Sequence, residues 1–149
     1  MKAKLTIAIS ALIILVACSK DKFQDEPHIT IKSISPSTVS NGNIIEMNGK
    51  FTDANGDLDS ALVVYKWYNG TLVTKADTFR HTFKELNLPS KTKDGDINVT
   101  FAYNVINTGY VAITGVQRDT TATFGLILVD KAANRSNYSE SDRIRLKKV

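Results

Sequence analysis

Ile97-Asn98-Val99-Thr100-Phe101-Ala102-Tyr103-Asn104-Val105 is the stretch that decides the fold. Ile97, Val99, Phe101, Tyr103 and Val105 alternate with Asn98, Thr100, Ala102 and Asn104. A period of two sends the large apolar side chains to one face of an extended strand and the polar or small ones to the other. The same period runs outward in both directions. His28 to Ile34 reads as a first strand, ended by Ser35-Pro36-Ser37. Ile44 to Phe51 places Ile45, Met47 and Phe51 opposite Glu46, Asn48 and Lys50. Ala61 to Tyr68 is a third strand, and Asn69-Gly70, a strong hairpin signal, returns it into Thr71 to Lys75. Phe79 to Phe83, Thr121 to Val129 and Asp142 to Lys147 complete the set. Seven to eight short strands with no convincing helix predict an all-β chain, an antiparallel β-sandwich.

Composition agrees with one such domain. The chain has 149 residues, of which 42% are hydrophobic, enough for a real core. Trp67 on the third strand stands where immunoglobulin-like sandwiches often carry a core Trp. The single Cys excludes both the disulfide of antibody domains and a Cys-rich metal site, and two His exclude most His-rich metal centres. The net charge of +4 is modest and forms no basic stripe, so nucleic acid is not an expected partner.

Residues 1–17, MKAKLTIAISALIILVA, precede the strands. Lys2 and Lys4 make a positive start, and Leu5 to Ala17 an uncharged apolar run too short for a bilayer, which needs about 20 residues. That is the anatomy of a signal peptide. It ends in Leu15-Val16-Ala17-Cys18, which resembles the bacterial lipobox, whose Cys is acylated once the leader is cut before it. The expected organisation is a lipoprotein signal peptide over 1–17, acylated Cys18 with a flexible tether over 18–27, and a sandwich domain over 28–149. Losing Lys2 and Lys4 leaves 17 Lys and Arg against 15 Asp and Glu, a net +2. The nine residues 19–27 reach at most about 30 Å.

One motif has metal chemistry in it. Asp53, Asn55, Asp57 and Asp59 place oxygen ligands at alternate positions of Asp53-Ala54-Asn55-Gly56-Asp57-Leu58-Asp59. Such a run can wrap a hard cation, calcium above all, and its carboxylates repel one another without one. It lacks the glycine position, the terminal Glu and the flanking helices of an EF-hand. The competing reading is a plain polar turn around Asn55-Gly56. In an immunoglobulin-like sandwich the loop after the second strand and the loop before the last share one end, so Asp130 is expected to complete the site. Asp94-Gly95-Asp96 belongs to the same end or is a solvated turn.

The lipobox, the polar tether, Phe51-Thr52-Asp53-Ala54-Asn55-Gly56-Asp57-Leu58 and the closing Val129-Asp130-Lys131-Ala132-Ala133-Asn134-Arg135-Ser136 together resemble the small Ig-like lipoproteins of Bacteroidota. Ala133 departs from the Gly of that closing pattern. The resemblance implies a lipid-anchored protein of the outer membrane, a non-enzymatic binding or structural module, with a membrane partner through its N-terminal lipid and a protein or glycan ligand. Ser19, in place of the Asp that retains lipoproteins in the inner membrane, favours the outer one. Asp59-Ser60-Ala61 and Asp119-Thr120-Thr121 resemble the O-glycosylation sequon of such exported proteins, with Ser60 and Thr120 as acceptors.

Nothing catalytic is legible: no G-x-S-x-G elbow, no phosphate-cradling Gly-rich loop, no H-E-x-x-H. The alternative function is a glycan-binding accessory protein of a polysaccharide-uptake system, with Tyr65, Trp67 and Tyr68 as a stacking platform. Against it, Tyr65 and Trp67 share a face and suit a core, while Tyr68 points the other way. The first strand is expected to start at the acidic end, so that the tether leaves there. The far end would then carry Asn69-Gly70 and residues 107–120, read either as a binding loop or, over Tyr110 to Val116, as one more strand.

Overall fold

The computed structural model describes residues 26–82, 91–106 and 108–148. The leader, Cys18 and most of the tether lie outside them. Ten strands follow in order: β1 His28–Ser35, β2 Thr38–Val39, β3 Ile44–Thr52, β4 Leu58–Asn69, β5 Leu72–Thr82, β6 Asp94–Tyr103, β7 Val111–Ile113, β8 Thr120–Asp130, β9 Ser139–Glu140 and β10 Ile144–Leu146. They form two sheets. One has the order β1-β3-β6-β7, the other β2-β10-β8-β4-β5, with β9 also on β8. The chain is an all-β sandwich, as the period of two predicts. Between β1 in one sheet and β2 in the other, the chain crosses over through the cis peptide Ser35-Pro36.

The core lies between the sheets. Ile45, Met47 and Phe51 of β3 and Ile97, Val99, Phe101 and Tyr103 of β6 face Ala61, Val63 and Tyr65 of β4 and Phe124, Leu126 and Leu128 of β8. Phe101 and Phe124 meet across the gap, ring centroids 4.9 Å apart. The Tyr103 hydroxyl donates to the Lys147 carbonyl at 2.5 Å, tying the end of the chain to the opposite sheet. Apolar burial of this kind contributes roughly 25 cal/mol per Å² and is the main stabilising term.

The structure departs from the strand reading in its pairing, in β5 and in the short pieces β2 and β9. Pairing is antiparallel except for β2 with β10 and β6 with β7, which are parallel. The segments Thr71 to Lys75 and Phe79 to Phe83 are one strand, β5, as far as Thr82; Phe83 lies outside the described residues. Almost all of β5 is exposed, so it shows no hydrophobic alternation to read. The short pieces β2, β7 and β9 are too brief for any period. In β8 Ala122 to Leu126 are all buried because β9 and Tyr138 cover its outer face, and there the alternation vanishes.

Candidate functional site

The acidic turn lies where the second and third long strands meet. Leaving β3, Asp53 is 2% exposed. Its Oδ2 accepts the Asp57 amide at 2.8 Å, and its own amide donates to the Lys93 carbonyl. Gly56 sits at φ 68°, and a Cβ there would lie 3.0 Å from the Lys91 carbonyl oxygen, so the segment entering β6 rides directly on the turn. From the other sheet, Lys131 donates its amide to the Asp57 carbonyl at 3.1 Å. Loops 53–57, 91–94 and 130–134 therefore share one end, as the immunoglobulin-like reading requires. His28 pairs with Thr52, so the chain also enters the domain there. Asp94 stands at this end opposite Thr52, and Asp96 pairs loosely with Lys50 at 3.8 Å.

The five expected ligands are not gathered into one set. Asp130 is buried, but Asn134 takes both its oxygens, the amide on Oδ1 and Nδ2 on Oδ2, each at 2.7 Å. Asp59 lies inside β4, where the strand's pleat turns it onto the sheet face; there it pairs with Arg80 at 2.8 Å. Asn55 is exposed. What remains is Asp53 and Asp57, whose Oδ1 atoms are both buried without a hydrogen-bond partner. Burial pushes the Asp53 carboxyl above the usual carboxylate range, opposed by the Asp57 amide and reinforced by the charges of Asp57 and Asp130. Among the described residues no group of three or more His, Cys, Asp or Glu is arranged to hold a metal. Two of the five candidates, then, keep a buried carboxylate oxygen without a hydrogen-bond partner, and three do not.

Other expected sites are spent within the fold. Ser60 has no accessible surface, and its Oγ accepts Arg80 Nε at 3.1 Å. Thr120 Oγ1 donates to the Tyr68 carbonyl at 2.6 Å. The aromatic platform is not assembled. Tyr65 is buried against Phe79 and Phe124, and Lys75 Nζ stands 4.4 Å from the centroid of the partly buried Trp67 ring. Tyr68, on the opposite face, bonds Thr123 and is covered by Arg143 at 4.0 Å.

Over 107–120 the strand reading holds for Val111–Ile113, and Ile113 and Val116 are core. Asp119 fastens the C-terminal strand: it accepts the Lys148 amide, Lys147 Nζ and Arg145 Nη2, which hold its carboxyl down at about 2. Among the described residues, Tyr110 and Ile106 remain there as large exposed apolar side chains, with Leu72 and Val73 on the nearby hairpin.

A polar cluster on the outer face of β8 has no counterpart in the sequence reading. Glu140 Oε1 accepts from Lys66 Nζ, Thr123 Oγ1 and the Tyr138 hydroxyl at 3.0, 2.6 and 3.0 Å. The ring of Tyr138 lies on Gly125 so closely that a Cβ there would overlap it. Its one sequence signal is Gly125 itself, since an isolated glycine inside a strand marks a close approach. Among the described residues no helix is long and apolar enough to cross a membrane.

No protein-family model matches the chain, and no curated protein matches it. Solved structures resemble it distantly. Sporulation control protein Spo0M from Bacillus subtilis aligns at 11% identity and TM-score 0.47, over 83% of this chain and 50% of its own. The alkylpurine DNA glycosylase AlkC of Pseudomonas fluorescens aligns at 12% and 0.44, over 82% of this chain and 30% of its own. A Niemann-Pick type C2 protein from Japanese carpenter ant aligns at 13% and 0.40, over 81% and 89%. The chain thus spans half or less of the first two, and likenesses this distant carry no argument about its activity.

Proposed function

We propose that this chain is a lipid-anchored, non-enzymatic module of the bacterial outer membrane, acylated at Cys18 and tethered by residues 19–27. The observation that carries the reading is the pairing of His28 with Thr52. It supports a tether that leaves from the end of the three interlocked loops, because the described chain enters the domain there. That end, braced by bonds between loops 53–57, 91–94 and 130–134, takes the load of an anchor, and the sandwich is held beside the membrane. Acyl chains supply the binding, since one chain holds marginally and two or more hold stably. Cys18→Ala is expected to leave the membrane fraction; retention through a high-salt wash overturns the anchor.

A calcium ion at the braced end is the second part of the reading, supported by the two orphaned Oδ1 atoms of Asp53 and Asp57. An affinity of order 10⁻⁴–10⁻³ M suits an extracellular module. A hundredfold excess over that Kd would add about 2.7 kcal/mol of stability. An equal melting temperature in chelator and in roughly 10–20 mM calcium leaves only the polar turn.

A further inference from the structure

We propose that β5 is a self-pairing edge, through which two copies of this chain join in antiparallel register about Phe79. Among the described residues each sheet ends in two edge strands, and three of the four are closed or brief. The Asn137 side chain bonds both the amide and the carbonyl of Ile29, and Ser139 Oγ accepts the amide of Ile31, so β1 is capped along its edge. β2 has two residues and β7 three. β5 has eleven, nearly all exposed, and among the described residues it pairs with β4 alone. A long open edge is a template for another strand unless something blunts it.

The register follows from the sequence of the strand. A bulge at Thr74 separates Val73 from a straight run that begins at Lys75. Asn69 and Leu72 close a two-residue turn as a hydrogen-bonded pair. Beyond the bulge the alternation turns the backbone groups of Lys75, Asp77 and Phe79 towards β4 and leaves the even-numbered ones on the outer edge, where the Thr78 amide meets the Asp77 carboxylate. Antiparallel self-pairing then allows only registers that match even residues with even residues. Centring on Lys75 or on Asp77 sets like charges opposite each other. Centring on Ala76 runs the pairing into the bulge. Centring on Thr78 sets Lys75 against His81 and gives no complementary pair. Centring on Phe79 sets the two Phe79 rings together, Asp77 against the other copy's His81 on both sides, and Thr78 against Arg80 as the hydrogen-bonded pairs. In the single chain His81 Nε2 has no hydrogen-bond partner. On pairing, the Thr78 amide exchanges the Asp77 carboxylate for a backbone carbonyl of the second copy, and that carboxylate turns to the facing imidazole. An interface of about five residues per copy is smaller than stable dimers use, so the association is weak in dilute solution.

Cysteine pairs read this register directly. Residues facing each other in a non-hydrogen-bonded pair have Cα atoms about 4.5 Å apart, within disulfide range. Full-length Asp77→Cys chains mixed with His81→Cys chains are expected to form an interchain disulfide under mild oxidation. Neither variant alone should exceed the parent, whose one thiol is Cys18. In this register the introduced thiols of two Asp77→Cys copies lie four residues apart along the strands, about 13 Å. Phe79→Cys should link to itself. Absence of product in both the mixture and the Phe79→Cys chain overturns the proposal, and so does efficient self-linking of Asp77→Cys.

Discussion

Gly125→Ala probes the outer face of β8, where one methyl group meets one ring. The added Cβ would overlap Cε2, the hydroxyl oxygen and Cζ of Tyr138, all inside the 3.0 Å that real Cβ atoms essentially never cross. β8 is locked between β4 on one side and β9 and β10 on the other, so the backbone holds and the ring must leave. Tyr138 is 40% exposed and can swing into solvent, which caps the cost at what its contacts are worth. Those are a hydrogen bond to the Glu140 carboxylate, the Lys66 ammonium 4.7 Å from the ring centroid, and the ring's own packing. A partly exposed bond to a charged group contributes about 1–1.5 kcal/mol and a cation–π contact at an exposed site about 0.5–1. Alanine recovers about 0.5–1 kcal/mol of strand propensity over glycine. The net loss is about 1–2 kcal/mol, a fall of roughly 5–10 °C in Tm for a domain of this size. Thermal melts of Gly125→Ala, Tyr138→Ala and the double variant test it. With the ring gone, the same methyl should be neutral or mildly stabilising, a coupling of about 1.5–3 kcal/mol. An equal fall in both backgrounds would show that Gly125 serves the backbone and refute the reasoning.

Asp53→Asn keeps an acceptor for the Asp57 amide while removing a buried charge, so without calcium it should melt no lower than the parent at pH 7, and it should lose any calcium-induced rise; a marked drop in chelator contradicts this. Because the folded Asp53 carboxyl titrates above its ordinary 3.8, its burden is present at neutral pH, and the advantage of the variant should shrink as pH falls towards that value. Glu140 has the opposite sign: despite the cost of burial, Thr123, Lys66 and Tyr138 hold it below 4.5, so its stabilisation is present above that pH and fades as pH drops through the folded value. The gap in Tm between the parent and Glu140→Gln should therefore narrow below about pH 4.5, and a gap constant with pH refutes it. Ala133 sits at φ 67°, a conformation that strains a non-glycine residue, so Ala133→Gly should raise the melting temperature by a few degrees, about 1 kcal/mol or less.

Strand placement was legible wherever one face is buried and the other wet. β3 and β6 show it, with Ile45, Met47, Phe51, Ile97, Val99, Phe101 and Tyr103 all under the sheet. Where both faces have the same surroundings the period is lost: exposed β5 was read as two pieces, whereas doubly covered β8 was still placed, over Thr121 to Val129, by its apolar run between turns. The shared end of the acidic turn and Asp130 was legible, because topology alone puts those loops together. The ligand set was not. Spacing along the chain does not reveal that Asp59 already belongs to a strand, or that Asn134, four residues after Asp130, closes its own turn on both carboxylate oxygens. Ala133 adopts the left-handed backbone that the resembling pattern assigns to glycine, so the turn survives the substitution with strain in place of freedom.

The anchor and the self-pairing edge constrain each other. Antiparallel pairing through β5 inverts one copy relative to the other, so the ends where the two chains enter their sandwiches point in opposite directions. In the Phe79 register Thr82 of one copy faces Ala76 of the other, so an upright pair would set the two β5 ends six residues, about 20 Å, apart in height. Nine tether residues span at most about 30 Å, so an upright pair would draw out most of one tether's length. A paired and doubly anchored module therefore keeps both tethers slack only on its side, strands along the membrane plane and the two-fold axis along its normal. In that pose both tethers reach the bilayer, and the outer face of one sheet is turned towards it. Shortening the tether by five residues should then weaken cross-linking between Asp77→Cys and His81→Cys in membranes while leaving it unchanged after detergent extraction. If the shortened chain links equally well in both, either the pairing holds without the anchor or the anchor imposes no geometry on it.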